Sequence, residues 1–172
     1  MNTAPQATLP QEPYILGPEI VAPERRKRVS APGLRAFATI ADLWDLKEPE
    51  RLRILGHQPK TAFYAWMRKG RQHHDLTLDF DVLIRISLIL GIYSALRILY
   101  DSEEAGLEWL KRPNKASTFG GRAPMELITS GSQDALFQVR GFLDGARGGL
   151  FMEPNEADEN FRPYTDTDII WS

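Results

Sequence analysis

Apolar residues recur along most of this chain at helical spacing. Leu34, Phe37, Ile40, Ala41 and Trp44 fall at i, i+3, i+6, i+7 and i+10, one stripe of a first helix over 34–45. A second helix is predicted over 49–55, with Pro49 at its first position and Gly56 just past its end. A third runs over 59–69, with Ala62, Phe63, Trp66 and Met67 as its apolar face and Gly70 as its stop. Thr77 is the predicted N-cap of a fourth helix, Leu78 to Leu90, with Asp79 and Asp81 in the first turn. Leu78, Val82, Leu83, Ile86, Ile89 and Leu90 surround it, so it reads as the central core helix, stopped by Gly91. Tyr93 to Tyr100 adds a further turn or two. Ser102 caps the next helix, which carries Leu107, Trp109 and Leu110 and ends before Pro113. Pro124 opens a short helix to Thr129. Ser130 or Ser132 caps a last amphipathic one with Leu136, Val139, Phe142 and Leu143 on its buried side.

The fold class is therefore all-α, a helix-turn-helix-like N-terminal bundle continuous with a small helical C-terminal domain. Residues 1–32 read as a flexible arm, broken by Pro5, Pro10, Pro13, Pro18, Pro23 and Pro32. The cluster Arg25-Arg26-Lys27-Arg28 near its end has two readings: a solvated linker, or a basic arm that follows a DNA backbone or a protein surface. Residues 33–75 form the helix-turn-helix region, 76–149 the core helix and C-terminal domain, and 150–172 a tail.

At 172 residues with 42% hydrophobic and 26% charged residues, the composition is that of a globular protein. The net charge of -2 excludes a wholly basic binder, so nucleic acid must meet a local patch. Such a patch exists. The outer side of the third helix and its end carry Lys60, Thr61, Tyr64, Arg68, Lys69 and Arg71, which could pair with phosphates if the three helices form a helix-turn-helix. The bland reading is a solvated helix end whose cations complement the dipole. The absence of cysteine removes disulfides and thiolate chemistry and fits the cytoplasm. No signal peptide is visible. The longest apolar stretch, Val82 to Leu90, is interrupted by Arg85 and Ser87, well short of the about 20 residues a membrane span needs.

No nucleophile elbow, zinc-protease helix, phosphate loop or dinucleotide fingerprint is present, so the expectation is no enzyme and no cofactor. His73-His74-Asp75 lacks the converging set a metal needs, and His57 has no visible partner. The loop Phe119-Gly120-Gly121-Arg122-Ala123-Pro124 invites an anion-cradle reading. It lacks the Lys-Ser/Thr and the preceding strand of a phosphate loop, so a plain turn is the better account.

Trp109, Leu110, Pro113, Asn114, Phe119, Gly121, Arg122, Pro124, Leu127, Ser130, Gly131, Val139 and Leu143 form an ordered series over Leu107 to Gly149. By that series the stretch resembles the toxin-binding domain of the Xre/MbcA/ParS antitoxin family, with looser similarity upstream to about Leu34. The resemblance implies an antitoxin of a type II toxin–antitoxin pair, with a RES-type NAD-consuming toxin as partner. In such pairs the antitoxin covers the toxin's active site and represses its own operator DNA, often as a homodimer. Toxin contact is then expected at Phe119, Gly121, Arg122 and Pro124. The tail adds Glu153, Glu156, Asp158, Glu159, Phe161, Tyr164 and Trp171, since acids spaced by aromatics suit docking more than solvation. The competing reading of the tail is that it folds back on its own core. The alternative function is a stand-alone helix-turn-helix regulator without a toxin.

Overall fold

The computed structural model describes residues 22–72 and 74–149. The expectations placed on 1–21, His73 and 150–172 lie outside the described residues. Within them the chain is seven α-helices and no strand. They are α1 (Pro23–Leu43), α2 (Glu48–Ile54), α3 (Lys60–Arg71), α4 (Phe80–Leu99), α5 (Glu103–Lys111), α6 (Pro124–Ile128) and α7 (Gln133–Arg147).

α4 is the axis of the molecule. It packs against α1 on one side, α7 on another and α5 near its end, while α3 lies on α1 and α6 rests between α5 and α7. Val82, Leu83, Ile86, Ile89, Ile92, Ala95 and Leu96 are buried along it. It does not stop at Gly91 as expected. It continues to Leu99, twenty residues that by length and composition alone could cross a membrane. The neighbours on several sides explain its apolar character instead: it is the helix against which the rest of the core is laid. Gly91 has a packing role. A Cβ there would lie 1.1 Å from Arg140 Nη1, because the Arg140 guanidinium of α7 rests across that turn. The fourth helix also begins later than the sequence suggests. Asp79, without a side-chain cap bond, takes the N-cap position expected of Thr77.

α1 begins eleven residues before the predicted first helix, so the supposed arm is helical from Pro23 onward. Pro23 sits in the first turn, where a missing N–H costs nothing, and Glu24 favours the helix dipole. Tertiary contacts hold these turns. Ser30 is fully buried; its hydroxyl donates to the Arg26 carbonyl (2.6 Å) and accepts from the Leu78 amide (2.9 Å). Lys27 pairs with Asp75 at 2.7 Å. Pro32 lies inside the helix and is exposed, so the Arg28 carbonyl it cannot bond is within reach of water. Further along, the predicted stripe Leu34, Phe37, Ile40, Ala41 and Trp44 is buried throughout. α3 also passes through its expected stop. Gly70 is buried within the helix near Leu34, and its carbonyl accepts from Arg35 Nη1 at 2.9 Å.

Two arginines tie the N-terminal helices to the C-terminal ones. Arg85 of α4, whose side chain is 11% exposed, reaches three partners. Its Nε donates to Asp81 (2.8 Å), and its Nη1 donates to the carbonyls of Ile54 (3.3 Å) and Gly131 (2.9 Å). Arg53 of α2 donates from Nε to the Thr129 carbonyl (2.9 Å). The α2–α3 turn and the α6–α7 hinge are thus held to one another through two guanidinium groups. Gly131 fits there for two reasons. Its φ is +88°, and a Cβ would meet His57 Nε2 at 2.5 Å. Replacing Arg85 by Met orphans two carbonyls, and hydrogen bonds from a charged donor contribute about 1.5–3 kcal/mol. Urea unfolding of Arg85→Met should show a loss of that size. Asp81→Asn, which removes only a half-exposed ion pair, should cost less than about 1 kcal/mol.

Candidate functional site

The C-terminal domain is built round three rings. Phe119 is fully buried and sits edge-on to Trp109 (5.8 Å between centroids) and to Phe142 (4.8 Å), while Trp109 and Phe142 stack at 5.9 Å. Tyr100 of α4's end joins Trp109 at 6.3 Å. Edge-to-face and offset contacts of this kind add to the area each ring buries. Trp109 comes from α5, Phe142 from α7 and Phe119 from the loop between α5 and α6, so the triangle fixes all three.

That loop closes on itself. The Asn114 amide donates to the Arg122 carbonyl (3.1 Å) and the Gly121 amide returns to the Asn114 carbonyl (3.0 Å). The Asn114 side chain accepts from the Ala116 amide at 2.9 Å. Phe119 and Gly120 both donate to Ala116, and Arg122 donates to Phe119. Every amide from 119 to 122 is therefore spent inside the loop, which leaves none for an anion and agrees with the plain-turn reading. α6 follows. Pro124 opens it, and Glu126 Oε1 accepts from the Ala123 amide at its start. Ser132 caps α7 by accepting from the Ala135 amide.

This geometry divides the four expected contact residues of the loop. Phe119 and Pro124 are buried, so neither offers its side chain to a partner; both hold the loop in shape. Gly121 and Arg122 are exposed. Phe137 on α7 is exposed by 51% and Ile98 at the end of α4 by 61%. Helical spacing turns Ile98 inward with Ala95, Leu96 and Leu99, and the structure places it outside; Phe137 is not singled out by the sequence as a surface residue. For Phe137 the signal was available, since it falls off the Leu136, Val139, Leu143 stripe. The seven tail positions, Glu153, Glu156, Asp158, Glu159, Phe161, Tyr164 and Trp171, lie outside the described residues.

The basic positions of α3 are also divided. Lys60 and Tyr64 both bind the Glu48 carboxylate at the start of α2, which ties the first turns of the two helices together. Thr61, Arg68, Lys69 and Arg71 are exposed. A groove between these elements is lined by Leu46, Glu48, Phe63, Tyr64, Met67 and Arg68. Glu48 does not stand out in the sequence, because a lone acid in the first turn of a helix looks like an ordinary dipole partner. Its hydrogen bonds from Lys60 and then Tyr64 hold its carboxyl below the usual glutamate range, and the same contacts raise Lys60 and Tyr64. Among the described residues no group of His, Asp and Glu could hold a metal ion.

Two measurements check this picture. Truncating Phe119 to Ala should lower stability by about 3–5 kcal/mol in denaturant, the range for a buried aromatic. In an NMR pH titration the Glu48 carboxyl should titrate below a model glutamate. Its folded value is depressed, so the contact to Lys60 and Tyr64 is present above that value and is lost as pH falls through it.

Residues 95–149 match the family described as the antitoxin Xre/MbcA/ParS C-terminal toxin-binding domain. The uncharacterized protein y4oB of Sinorhizobium fredii (strain NBRC 101917 / NGR234) is 36% identical over 116 residues, which covers 67% of this chain and 84% of y4oB. No solved structure matches the chain. The matched span takes in the last turn of α4, the aromatic triangle, the closed loop and all of α7. The chain belongs to one family with y4oB, and its C-terminal domain is of the Xre/MbcA/ParS antitoxin toxin-binding type.

Proposed function

We propose that this antitoxin neutralises a RES-type, NAD-consuming toxin by covering the entrance of its active site. The observation that carries the reading is the toxin-binding domain over residues 95–149. Its exposed chemistry suits docking of this kind. Arg122 stands beside Gly121 on a loop that its own hydrogen bonds hold rigid, and Phe137 offers an apolar anchor. A pocket that binds a pyrophosphate needs cations. The acids of the tail, Glu153, Glu156, Asp158 and Glu159, are the groups of this chain that would pair with them. Phe161, Tyr164 and Trp171 would fill neighbouring apolar hollows.

The same chain also represses its own operon in this reading. α2 and α3 act as the paired helices of a helix-turn-helix, with Thr61, Arg68, Lys69 and Arg71 facing phosphates. Lys60 and Tyr64 contribute once released from Glu48. A homodimer would present two such units to one operator. The chain contains no cysteine, which is compatible with action in the cytoplasm.

Co-expression with the neighbouring gene tests the toxin half. The expected result is copurification, with cellular NAD preserved only when both proteins are made. A neighbour that neither binds the chain nor depletes NAD overturns the RES assignment. Removing residues 150–172 should weaken neutralisation while the helical circular dichroism persists. Arg122→Ala, at an exposed position, should weaken toxin binding with stability within about 0.5 kcal/mol of the parent. A truncated protein that still neutralises fully removes the tail from the mechanism.

A further inference from the structure

The basic cluster at the start of α1 is not on a loose arm. Four contacts lay Gly70, Asp75 and Leu78 along α1. Arg35 Nη1 holds the Gly70 carbonyl (2.9 Å), Leu34 lies 3.7 Å from where a Gly70 Cβ would be, Lys27 pairs with Asp75 (2.7 Å), and Ser30 Oγ accepts from the Leu78 amide (2.9 Å). The end of α3 therefore sits beside the middle of α1, and the first turns of α1 extend past it. Arg28 stands seven residues before Arg35, which in a helix is the same stripe two turns earlier, about 10 Å along the axis. Arg28, Lys27, Arg68, Lys69 and Arg71 are all exposed. Over 24–35 and 68–75 together the chain has eight Lys or Arg, and the acids there are Glu24 and Asp75, in a protein of net charge -2.

We propose that Lys27 and Arg28 extend the α3 surface into one basic face that grips the phosphate backbone of duplex DNA. Like charges gathered on neighbouring helices repel one another, a cost that an opposing polyanion removes. α3 supplies contact at its own end, and α1 continues the cationic track beyond it with side chains held on a helix. Such contacts position the duplex without reading its sequence. Asp75 is the counter-charge in the free protein. It occupies Lys27, and its pairing, through the hydrogen bond first and then the charge, raises the Lys27 pKa. DNA phosphate would take the place of Asp75. The proposal rests on the operator-binding reading above and adds a second helix to that surface.

The test is fluorescence anisotropy of the full chain with short duplexes tiled across the DNA upstream of its own gene, over about 50–200 mM salt. Each lost phosphate contact lowers the slope of log K against log salt by about 0.9, so Lys27→Ala with Arg28→Ala should flatten it by about 2. Affinity should fall alike on specific and unrelated duplexes. Asp75→Asn should tighten binding, a change that damage to the fold would not produce. If the full chain binds none of the duplexes at any salt, the operator reading fails and this one with it. If Lys69→Ala with Arg71→Ala flattens the slope while Lys27→Ala with Arg28→Ala leaves it unchanged, α1 is not part of the surface and the operator reading stands. If the α1 pair loses toxin capture and keeps its DNA slope, the face serves a protein instead and the proposal is overturned.

Discussion

Among the described residues, the guanidinium of Arg85 joins the helices before α4 to those after it. It lies nearly buried in α4, which packs against helices of both halves, and it donates to Asp81, to the last carbonyl of α2 and to the α6–α7 hinge. A buried cation is costly unless it is paired and its hydrogens are used. Here Asp81 supplies the pairing, and the bonds from Nη1 form only if the α2–α3 turn and the Gly131 hinge stand where they do. Arg53 repeats the arrangement at the near side of the hinge, on Thr129. The helices before α4 and after it are thereby one body. The basic face of α1 and α3 and the exposed edge of the C-terminal domain are fixed in relation to one another by polar bonds as well as by the shared core.

The residues that make the C-terminal domain recognisable are mostly hidden ones. Trp109 and Phe119 belong to the aromatic triangle, Leu110, Val139 and Leu143 are buried around it, and Asn114 and Gly121 pinch the loop. A pattern of this kind encodes how the domain is built. It does not encode where a partner touches, and that is why the domain was legible and its surface was not. Phe119 and Pro124 stand out in the sequence and turn out to be inside. Arg122 stands out and is outside, while Phe137 is outside without belonging to the pattern at all. Hydrophobic periodicity identifies buried faces. Exposed contact residues leave no periodic trace, so the sequence names them only where composition turns unusual, as on α3.

The stripes of α1 and α7 could be read directly, because one wet face and one dry face leave the 3.6-residue period intact, and α4 could be read because apolar residues surround it. Errors gathered where punctuation stood in for period. Pro23 and Pro32 argued for an arm, yet Pro23 opens a helix, and Pro32 is tolerated on its wet side while Ser30 and Lys27 anchor the other. Arg85 looked like an interruption of an apolar run and is instead the most connected polar side chain of the core helix. Its three partners are separated from it by four, 31 and 46 positions, and the two distant ones cannot be anticipated from local sequence.

Glycine shows the limit most clearly, because it answers two different demands with one letter. At Gly56 the backbone turns to a φ of +93°, and the residue ends α2 as a stop should. At Gly91 the helix runs straight on, and what the position needs is the absence of a side chain beneath Arg140. A glycine inside a helix lowers its intrinsic stability by about 1 kcal/mol relative to alanine. The chain tolerates that here because α4 is supported on several sides, and the open turn admits a guanidinium that also binds Asp144 at 2.7 Å. Local propensity would have ended the helix at Gly91; packing against α7 carries it through. The end of α4, with Tyr100 against Trp109, joins the aromatic core only because the helix continues past that point. The central helix and the C-terminal domain are thus a single unit, and Gly91 is the position that lets them meet.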